Sequence, residues 1–206
     1  MTSLFPMFMK LAGRQVLVVG AGKVGEPKIS GLLDTGARIR VIAIEATEVV
    51  REWARAGKIE LETRVFSVDD LDDAFLAVVA TSSRSLNELI YHEAQHRGVL
   101  CNVVDVPELC DFFYPAVVRR GDLQIAVSTS GQSPSLAQKL RQQLEKQFGP
   151  EYTNWVAELG ATRRLVLSSD LDAARKRELL HSLASREAFE AALAEIPVLS
   201  AKAEAV

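Results

Sequence analysis

The chain has 206 residues, of which 48% are hydrophobic and 25% are charged, with 24 basic and 27 acidic side chains. This composition excludes a largely disordered protein, and the formal net charge of −3 argues against a protein that coats nucleic acid. No apolar run approaches the roughly 20 residues that a membrane span needs, and two cysteines, Cys101 and Cys110, make no disulfide framework. We therefore expect a cytoplasmic protein without a signal peptide that binds neither nucleic acid nor a membrane.

Strand and helix patterns alternate over the first hundred residues. Residues 15–19 form a short, nearly continuous apolar run, typical of a strand buried on both faces. Ile29, Leu32 and Leu33 then repeat at helical spacing up to Gly36, and Thr47 is placed to cap a second helix. Further strands are predicted at 38–43, 59–65, 75–80 and 99–104, and a further helix at 85–97. This alternation predicts an α/β fold with a Rossmann-like, doubly wound parallel sheet.

The pattern changes after residue 107. Residues 116–120 and 123–127 flank a Gly-Asp pair, which predicts a β-hairpin. A helix capped by Ser133 follows and ends near residue 148, and only helical patterns come after it. We therefore expect three parts: a nucleotide-binding domain at 1–113, a small α+β unit of hairpin and helix at 114–150, and a helical C-terminal domain at 151–206.

A glycine-rich turn lies between the first strand and the first helix. Residues 20–25 fit G-x-G-x-x-G in the strand–turn–helix context of a dinucleotide fingerprint. Gly20 permits a tight turn, Gly22 lets the backbone approach a pyrophosphate at the helix N-terminus, and Gly25 lets the helix pack closely. The alternative is a purely structural glycine turn. Pro27 falls in the first turn of this helix, where proline is tolerated.

Glu45 comes just after the predicted second strand. A carboxylate there can accept hydrogen bonds from a ribose 2′-hydroxyl, which favours NAD over NADP. The alternative is an exposed acid that precedes a helix. Arg38 and Arg40 lie earlier on the strand and are not expected to reach the ribose.

The predicted helix at 85–97 contains His92-Glu93-Ala94-Gln95-His96, which matches the H-E-x-x-H zinc signature. The spacing puts both imidazoles on one helix face, but no obvious third ligand follows. The pair also lies toward the edge of the sheet opposite the ligand-binding edge. We expect a solvated helix face and no resident metal.

Two further segments carry candidate chemistry. Asp105 ends the fifth strand at the carboxyl edge of the sheet, where it could act as a general base. The alternative is a turn residue before Pro107. The run from Ser128 to Pro134 combines hydroxyls with free amides at a helix start and predicts a site for a carboxylate or phosphate. Simple helix capping explains Ser133 but not the whole run.

Four segments in this order resemble precorrin-2 dehydrogenase, the N-terminal module of siroheme synthase that also occurs as a free-standing protein. They are 18–22, 80–81, 102–105 and 127–134. The resemblance covers roughly residues 1–150. Pro27 departs from it, because many relatives carry Arg there, and Thr129 replaces a Ser found in some.

The resemblance implies NAD-dependent oxidation of precorrin-2, a tetrapyrrole, to sirohydrochlorin in siroheme biosynthesis. In some members ferrous iron is then inserted by a ferrochelatase activity, and Asp105 keeps that step open here. The resemblance also implies an intertwined homodimer formed through the segment after the Rossmann domain. A substrate with many carboxylates needs a local basic surface. Arg119, Arg120, Lys139 and Arg141 could supply it, or could be ordinary solvated charges.

The motifs and the resemblance together give a set of candidate site residues. Asp105 is the catalytic candidate. The cofactor-binding candidates are Gly20, Gly22, Lys23, Val24, Gly25, Ile44, Glu45, Thr81, Ser82, Asn102 and Val103. The substrate-binding candidates are Ser128, Thr129, Ser130 and Gly131.

Two other classes of function remain open. A non-catalytic Rossmann protein that senses NAD explains the glycine motif but leaves Asp105 and residues 128–134 without a role. A dehydrogenase of a small metabolite has less support, because no Lys, Tyr or His is placed as the usual proton donor.

Overall fold

The computed structural model describes residues 4–185 and 187–191. The predicted C-terminal domain spans 151–206. Of this range, residues 186 and 192–206 lie outside the described residues. The chain forms two compact units. The first is Phe5–Tyr114, and the second contains the described residues from Pro115 onward together with Leu4. In the described part of the chain, no helix has both the length and the apolar character needed to cross a membrane.

A five-stranded sheet forms the centre of the first unit. Its strands are β1 (Gln15–Ala21), β2 (Arg38–Ala46), β3 (Glu60–Thr63), β4 (Leu76–Val79) and β5 (Leu100–Val103). The spatial order is β3-β2-β1-β4-β5, and every neighbouring pair is parallel. This is the arrangement of a Rossmann-like sheet, so the predicted fold class is confirmed.

The sheet is buried on both faces, which explains the continuous apolar runs. Val16 and Val18 point into one hydrophobic cluster, while Leu17 and Val19 point into another. Successive side chains of a strand face opposite ways, so both clusters draw on the same strands. The first cluster includes residues of the first two helices and the second includes residues of the third.

Three helices connect these strands. They are α1 (Gly25–Ser30), α2 (Glu48–Arg55) and α3 (Arg84–Arg97). Helix α1 is shorter than the repeat of apolar residues indicates, since it ends at Ser30 and a separate 3₁₀ turn follows at Leu33–Thr35. Gly31 interrupts the pattern, because glycine is a poor residue for a helix interior. Gly36, at φ 71°, ends the 3₁₀ turn as predicted.

The second unit begins with the predicted hairpin. Strands β6 (Ala116–Arg120) and β7 (Leu123–Val127) pair antiparallel around Gly121 and Asp122. The helices that follow include α4 (Pro134–Gln147), α5 (Tyr152–Ser168) and α6 (Ala173–Leu183). Helix α4 packs on both strands of the hairpin, and α5 contacts β7 and α6. Whether residues 114–150 and 151–206 are separate domains stays a prediction.

Candidate dinucleotide site

A cavity of about 660 Å³ lies at the carboxyl ends of the strands of the first unit. Strand order reverses at β1 and β4, and segments that follow both strands line the cavity, as expected for a ligand site in an open parallel sheet. The volume is within the usual range for small-molecule and cofactor sites. The lining consists of residues 19–24, 42–45, 64–66, 80–83, 86 and 104–105.

The three glycines of the turn after β1 differ in the space around them. A Cβ atom at Gly20 would lie 2.5 Å from the carbonyl oxygen of Ala80, and Gly20 has a φ of 102°. A Cβ at Gly25 would lie 2.1 Å from the carbonyl oxygen of Gly20, whereas a Cβ at Gly22 would meet nothing within 4 Å. Gly20 and Gly25 therefore serve the packing of the turn, and Gly22 leaves open space at the cavity wall. This geometry fits a bound pyrophosphate.

Helix α1 accommodates Pro27 without losing its first turn. Pro27 is the third residue of the helix, its carbonyl oxygen accepts a hydrogen bond from Gly31 N at 3.1 Å, and Glu26 N donates to the Gly22 oxygen at 2.9 Å. Val24 is the N-cap, and its side chain makes no capping hydrogen bond. The glycine turn and the helix start are thus joined directly by backbone hydrogen bonding.

A further part of the cavity wall comes from the end of β2 and from the residues that follow β3. Glu45 lines the cavity and is exposed, but it belongs to β2, which continues to Ala46, and not to the segment after the strand. The extension arises because Ala46 still pairs with the end of β1. Ile44 and Val65 line the same cavity and are 70% and 69% exposed, and Val24 is 50% exposed. Apolar side chains exposed around a cavity are typical of a ligand site.

The turn after β4 carries Thr81 and Ser82 into the cavity lining. Thr81 Oγ1 donates to Asn87 Oδ1 at 2.6 Å, and Asn87 Nδ2 donates to the Thr81 carbonyl oxygen at 3.2 Å. Asn87 is a buried residue of α3, and α3 is capped by Ser83, which accepts from Leu86 N. The two hydrogen bonds with Asn87 therefore attach the Thr81 turn to helix α3.

Asp105 lies in the cavity lining on a left-handed turn, with a φ of 64°. Its carboxylate is exposed and has no hydrogen-bond or ion-pair partner among the described residues. The Sγ of Cys110 lies 3.1 Å from the Val103 oxygen and 3.2 Å from the Val106 oxygen, so its S–H donates to carbonyls on both sides of the turn. Burial raises the pKa of the Cys110 thiol, which keeps this donor protonated.

Asn102 and Val103 are buried in β5 and do not line the cavity. The side chain of Asn102 donates to the Phe112 carbonyl oxygen at 2.7 Å and to Cys110 Sγ at 3.3 Å. This arrangement closes the segment between β5 and Phe112 on itself. Both residues therefore support the segment that carries Asp105.

The Ser128–Gly131 loop belongs to the second unit. The sequence suggested free amides in this loop, and the structure corrects that expectation: Ser130 N donates to Ser128 Oγ, and Ser133 N donates to Thr129 Oγ1, each at 3.1 Å. Ser130 and Gly131 adopt positive φ values of 51° and 80°, which bend the loop so that its own hydroxyls reach its amides. The loop is a built turn rather than an open cluster of donors.

Two of the four basic candidates in the second unit are engaged within the protein. Arg120 donates from Nε to the Phe148 oxygen at 2.8 Å and from Nη2 to the Glu145 oxygen at 3.1 Å, so it holds the end of α4. Arg141 forms an ion pair with Glu145 at 2.6 Å. Arg119 and Lys139 have no ion-pair partner in the described ranges.

A network of two arginines and two acids lies beside the cavity at the end of β3. Arg64, which lines the cavity, pairs with Asp70 at 2.6 Å and Glu62 at 2.8 Å. Arg40 pairs with Glu62 at 2.7 Å and Asp70 at 3.2 Å. Hydrogen bonding from Arg64 lowers the pKa of Asp70, and hydrogen bonding from Arg40 and Arg64 lowers the pKa of Glu62. The guanidinium of Arg40 is thus directed toward these two acids.

The H-E-x-x-H segment lies on α3. Glu93 pairs with Arg97 four residues later, within the same helix. Within residues 4–185 and 187–191, no group of three His, Cys, Asp or Glu side chains could hold a metal ion.

Sequence reasoning missed several residues of this site. Arg64, Val65 and Phe66 line the cavity after a short edge strand, and Asn87 and Cys110 hold the turns that carry Thr81 and Asp105. Of these residues, only Val65 could have been found from the sequence, because an apolar residue just past a strand end lies at the ligand-binding edge of the sheet. The other contacts cross between elements, so no spacing along the chain indicates them.

The sheet order, the glycine turn and the cavity define a dinucleotide-binding protein of the Rossmann class. A family model described as "Putative NAD(P)-binding" matches residues 7–116, which is more than half of the chain. The chain belongs to this family, and its cofactor is a nicotinamide dinucleotide. A second model, "Sirohaem biosynthesis protein central", matches residues 120–147.

Similar proteins confirm the resemblance seen in the sequence. The siroheme synthase of Nitrosococcus oceani is 44% identical over 140 residues, which are 68% of this chain and 30% of that protein. The siroheme synthase of Neisseria meningitidis is 37% identical over 173 residues, which are 84% of this chain and 36% of that protein. The chain thus spans about a third of the length of these relatives. The solved structure of SirC, a precorrin-2 dehydrogenase, matches with a TM-score of 0.77 and 28% identity, covering 90% of this chain and 92% of that chain.

Proposed function

We propose that this protein oxidises precorrin-2 to sirohydrochlorin with NAD as the oxidant. The observation that carries the proposal is the match to a precorrin-2 dehydrogenase over nine-tenths of both chains. The siroheme synthase relatives support the same pathway, and the cavity beside the glycine turn supports the cofactor. The alternative of a non-catalytic NAD sensor has no support from the similar proteins.

NAD is preferred over NADP in this proposal. The glycine turn would hold the pyrophosphate, with Lys23 and Val24 beside it, and Glu45 would accept the ribose hydroxyls. Thr81 and Ser82 would contact the part of the cofactor that lies past β4. An exposed carboxylate at Glu45 disfavours a 2′-phosphate because like charges repel.

Asp105 is the proposed general base. Bound NAD supplies a hydride acceptor for this oxidation. The macrocycle also loses a proton, and Asp105 would receive it, because its carboxylate has no partner in the described residues and lines the same cavity. The positive φ of Asp105 holds the carboxylate at the carboxyl edge of the sheet.

The substrate carboxylates would bind to the second unit. The hydroxyls of the Ser128–Gly131 loop are candidates for this role, with Arg119 and Lys139 as the basic residues that have no ion-pair partner in the described chain. Insertion of ferrous iron is a second candidate activity. Metal entry releases two pyrrole protons, and the unpartnered carboxylate of Asp105 could accept each in turn, passing the first to solvent before it takes the second.

A homodimer formed through residues 114–150, located in the cytoplasm, completes the proposal. Leu136 and Leu140 are one helical turn apart on α4 and are 48% and 37% exposed, which supports an apolar contact there.

The test is an anaerobic incubation of the protein with precorrin-2 and NAD, in which the absorbances of sirohydrochlorin and NADH are followed together. Both products should appear in equal amounts. Adding ferrous iron afterwards tests the second activity through the appearance of siroheme. If NAD binds but neither product forms, the dehydrogenase assignment is wrong and the sensor alternative gains support.

A further inference from the structure

An arginine lines the dinucleotide cavity, but its guanidinium is committed elsewhere. Arg64 donates from Nε to Glu62 Oε2 at 2.8 Å and from Nη1 to the Val65 carbonyl oxygen at 2.9 Å. Its two terminal nitrogens also donate to the two carboxylate oxygens of Asp70, at 2.8 and 2.6 Å. A guanidinium has five N–H donors, so four of them are in use.

The acids that hold Arg64 are themselves fixed. Asp70 is only 4% exposed, and it accepts a further hydrogen bond from Ser67 N at 2.9 Å. Glu62 bridges Arg64 and Arg40, at 2.8 and 2.7 Å. Each arginine therefore contacts both acids, and the four formal charges cancel. Because Arg64 faces Asp70 through two parallel hydrogen bonds, its orientation is strongly specified.

We propose that this network excludes NADP by withholding Arg64 from the 2′-phosphate. The inference rests on the proposed preference for NAD. Arginine near the end of the second strand is the residue type that accommodates a 2′-phosphate. Arg64 N donates to the Ala43 oxygen at 3.1 Å, so its backbone lies beside the end of β2, and both Arg64 and Glu45 line the cavity. To bind a phosphate, the Arg64 guanidinium must give up hydrogen bonds that it already donates to a carboxylate of the network.

Glu62 is the acid of the network that can be substituted without removing a buried carboxylate. Its side chain is 32% exposed, whereas that of Asp70 is 5% exposed. Glu62→Gln removes one negative charge and weakens the hold on Arg64 Nε, while Asp70 keeps the fold of the following turn. We expect the affinity for NADP to rise by about tenfold or more, which corresponds to one charge-assisted hydrogen bond made available. The affinity for NAD should change by less than about threefold.

The experiment measures the Kd of NAD and of NADP for the full chain by titration calorimetry, without substrate. The variants are Glu62→Gln, Arg64→Gln and the double variant. Glu60→Gln is the matched control, since it removes the same charge from the same strand and Glu60 has no ion pair in the described residues. Thermal unfolding of each variant reports whether it is folded, and Glu62→Asp serves as a replacement if Glu62→Gln is not.

The proposal requires that Glu62→Gln tightens NADP binding, that Glu60→Gln does not, and that the gain disappears in the double variant. It also requires that Arg64→Gln alone does not raise the affinity for NADP, because Arg64 is the group that the network withholds. A gain that persists without Arg64, an equal gain in Glu60→Gln, or no gain at all overturns it. Failure of the unmodified protein to bind NAD would instead overturn the proposed function, so the two failures are distinguishable.

Discussion

Gly22 and Gly25 belong to the same turn but meet opposite requirements. A Cβ at Gly22 would meet nothing within 4 Å, whereas a Cβ at Gly25 would lie 2.1 Å from a backbone oxygen. We expect Gly22→Val to keep the unfolding temperature within a few degrees and to weaken NAD binding at least about 100-fold, because its side chain fills the space for the pyrophosphate. Gly25→Ala should destabilise the fold by about 1–3 kcal/mol. Unchanged NAD affinity in Gly22→Val, measured by titration, would contradict the assignment.

Substitutions of Asp105 can separate the effect of its carboxylate from the effect of its backbone conformation. Its φ of 64° is a conformation that asparagine and aspartate tolerate better than most residues. Asp105→Asn therefore keeps the turn and removes the base, whereas Asp105→Ala disturbs both. We expect Asp105→Asn to bind NAD normally and to lose about 10²- to 10⁴-fold in the rate of precorrin-2 oxidation or iron insertion. If neither rate falls tenfold in anaerobic assays, Asp105 is only a turn residue.

The position of Asp105 and Glu45 at the cavity could be predicted from the sequence, because parallel strands bring their carboxyl ends to one edge. The ion pairs of Arg64 with Glu62 and Asp70 could not be predicted from the sequence. Its partner Asp70 lies in a 3₁₀ turn six residues later, and the pairing depends on how that turn folds back on β3. Similarly, nothing in the sequence spacing indicates that Cys110 contacts the carbonyls around Asp105.

At the scale of elements, hydrophobic period and caps predicted the sheet and most helices. Thr47 and Ser133 are the N-caps that the sequence indicates, and their side chains accept from Val50 N and Leu136 N. Strand ends differ from the predicted ones by one to three residues, since pairing with a neighbour decides where a strand stops. Gly31 indicates that the first helix breaks after Ser30. The helical spacing of the apolar residues on both sides of Gly31 instead predicted a continuous helix.

The thiol of Cys110 is one of the groups that hold the segment after β5 in place. Because Cys110 donates to the carbonyls of Val103 and Val106, Cys110→Ala should loosen the turn that carries Asp105. We expect a drop of roughly tenfold in the oxidation rate with an unchanged Kd for NAD, since misplacement of a catalytic group by even 1 Å is costly. Cys110→Ser, which keeps a donor, should recover most of the rate. Equal rates in all three proteins would assign Cys110 to packing alone.

At the scale of the whole molecule, the arginine–acid network makes stability depend on pH. Asp70 and Glu62 have pKa values below their ordinary values because arginines donate to them. Carboxylates of the unfolded chain titrate near pH 4. The native state therefore binds protons less readily, and the stabilisation is complete above about pH 5 and is lost as the pH falls through the lowered native values.

We expect Asp70→Asn to be less stable than the unmodified protein at pH 7 and to lose less stability on acidification. Urea unfolding at steps from pH 7 to pH 3 measures both effects. Asp73→Asn is the control, because Asp73 is exposed and has no ion pair in the described chain. Parallel stability curves for Asp70→Asn and the unmodified protein would show that the network does not carry this pH dependence.

The two units differ in how much apolar surface they bury, and this difference bears on the proposed dimer. In the described part of the second unit, the buried hydrophobic residues are Val118, Ala137, Val166 and Phe189. Among the described residues of this unit, the sheet consists of the two strands of the hairpin, and an isolated hairpin is marginal in water. A unit with so small a core gains stability from association.

Leu140→Glu should therefore shift the proposed dimer toward monomer, because it puts a charge into the apolar stripe that Leu140 forms with Leu136 on α4. Gln142→Glu adds the same charge about half a turn around the helix, at a position that is also exposed, and should leave the association unchanged. Sedimentation velocity between about 1 and 50 μM would resolve the two species. NAD binding should survive in Leu140→Glu, since the cavity lies in the first unit. An unmodified protein that sediments as a monomer throughout this range would refute the dimer, and a dimer unaffected by Leu140→Glu would move the interface away from this face of α4.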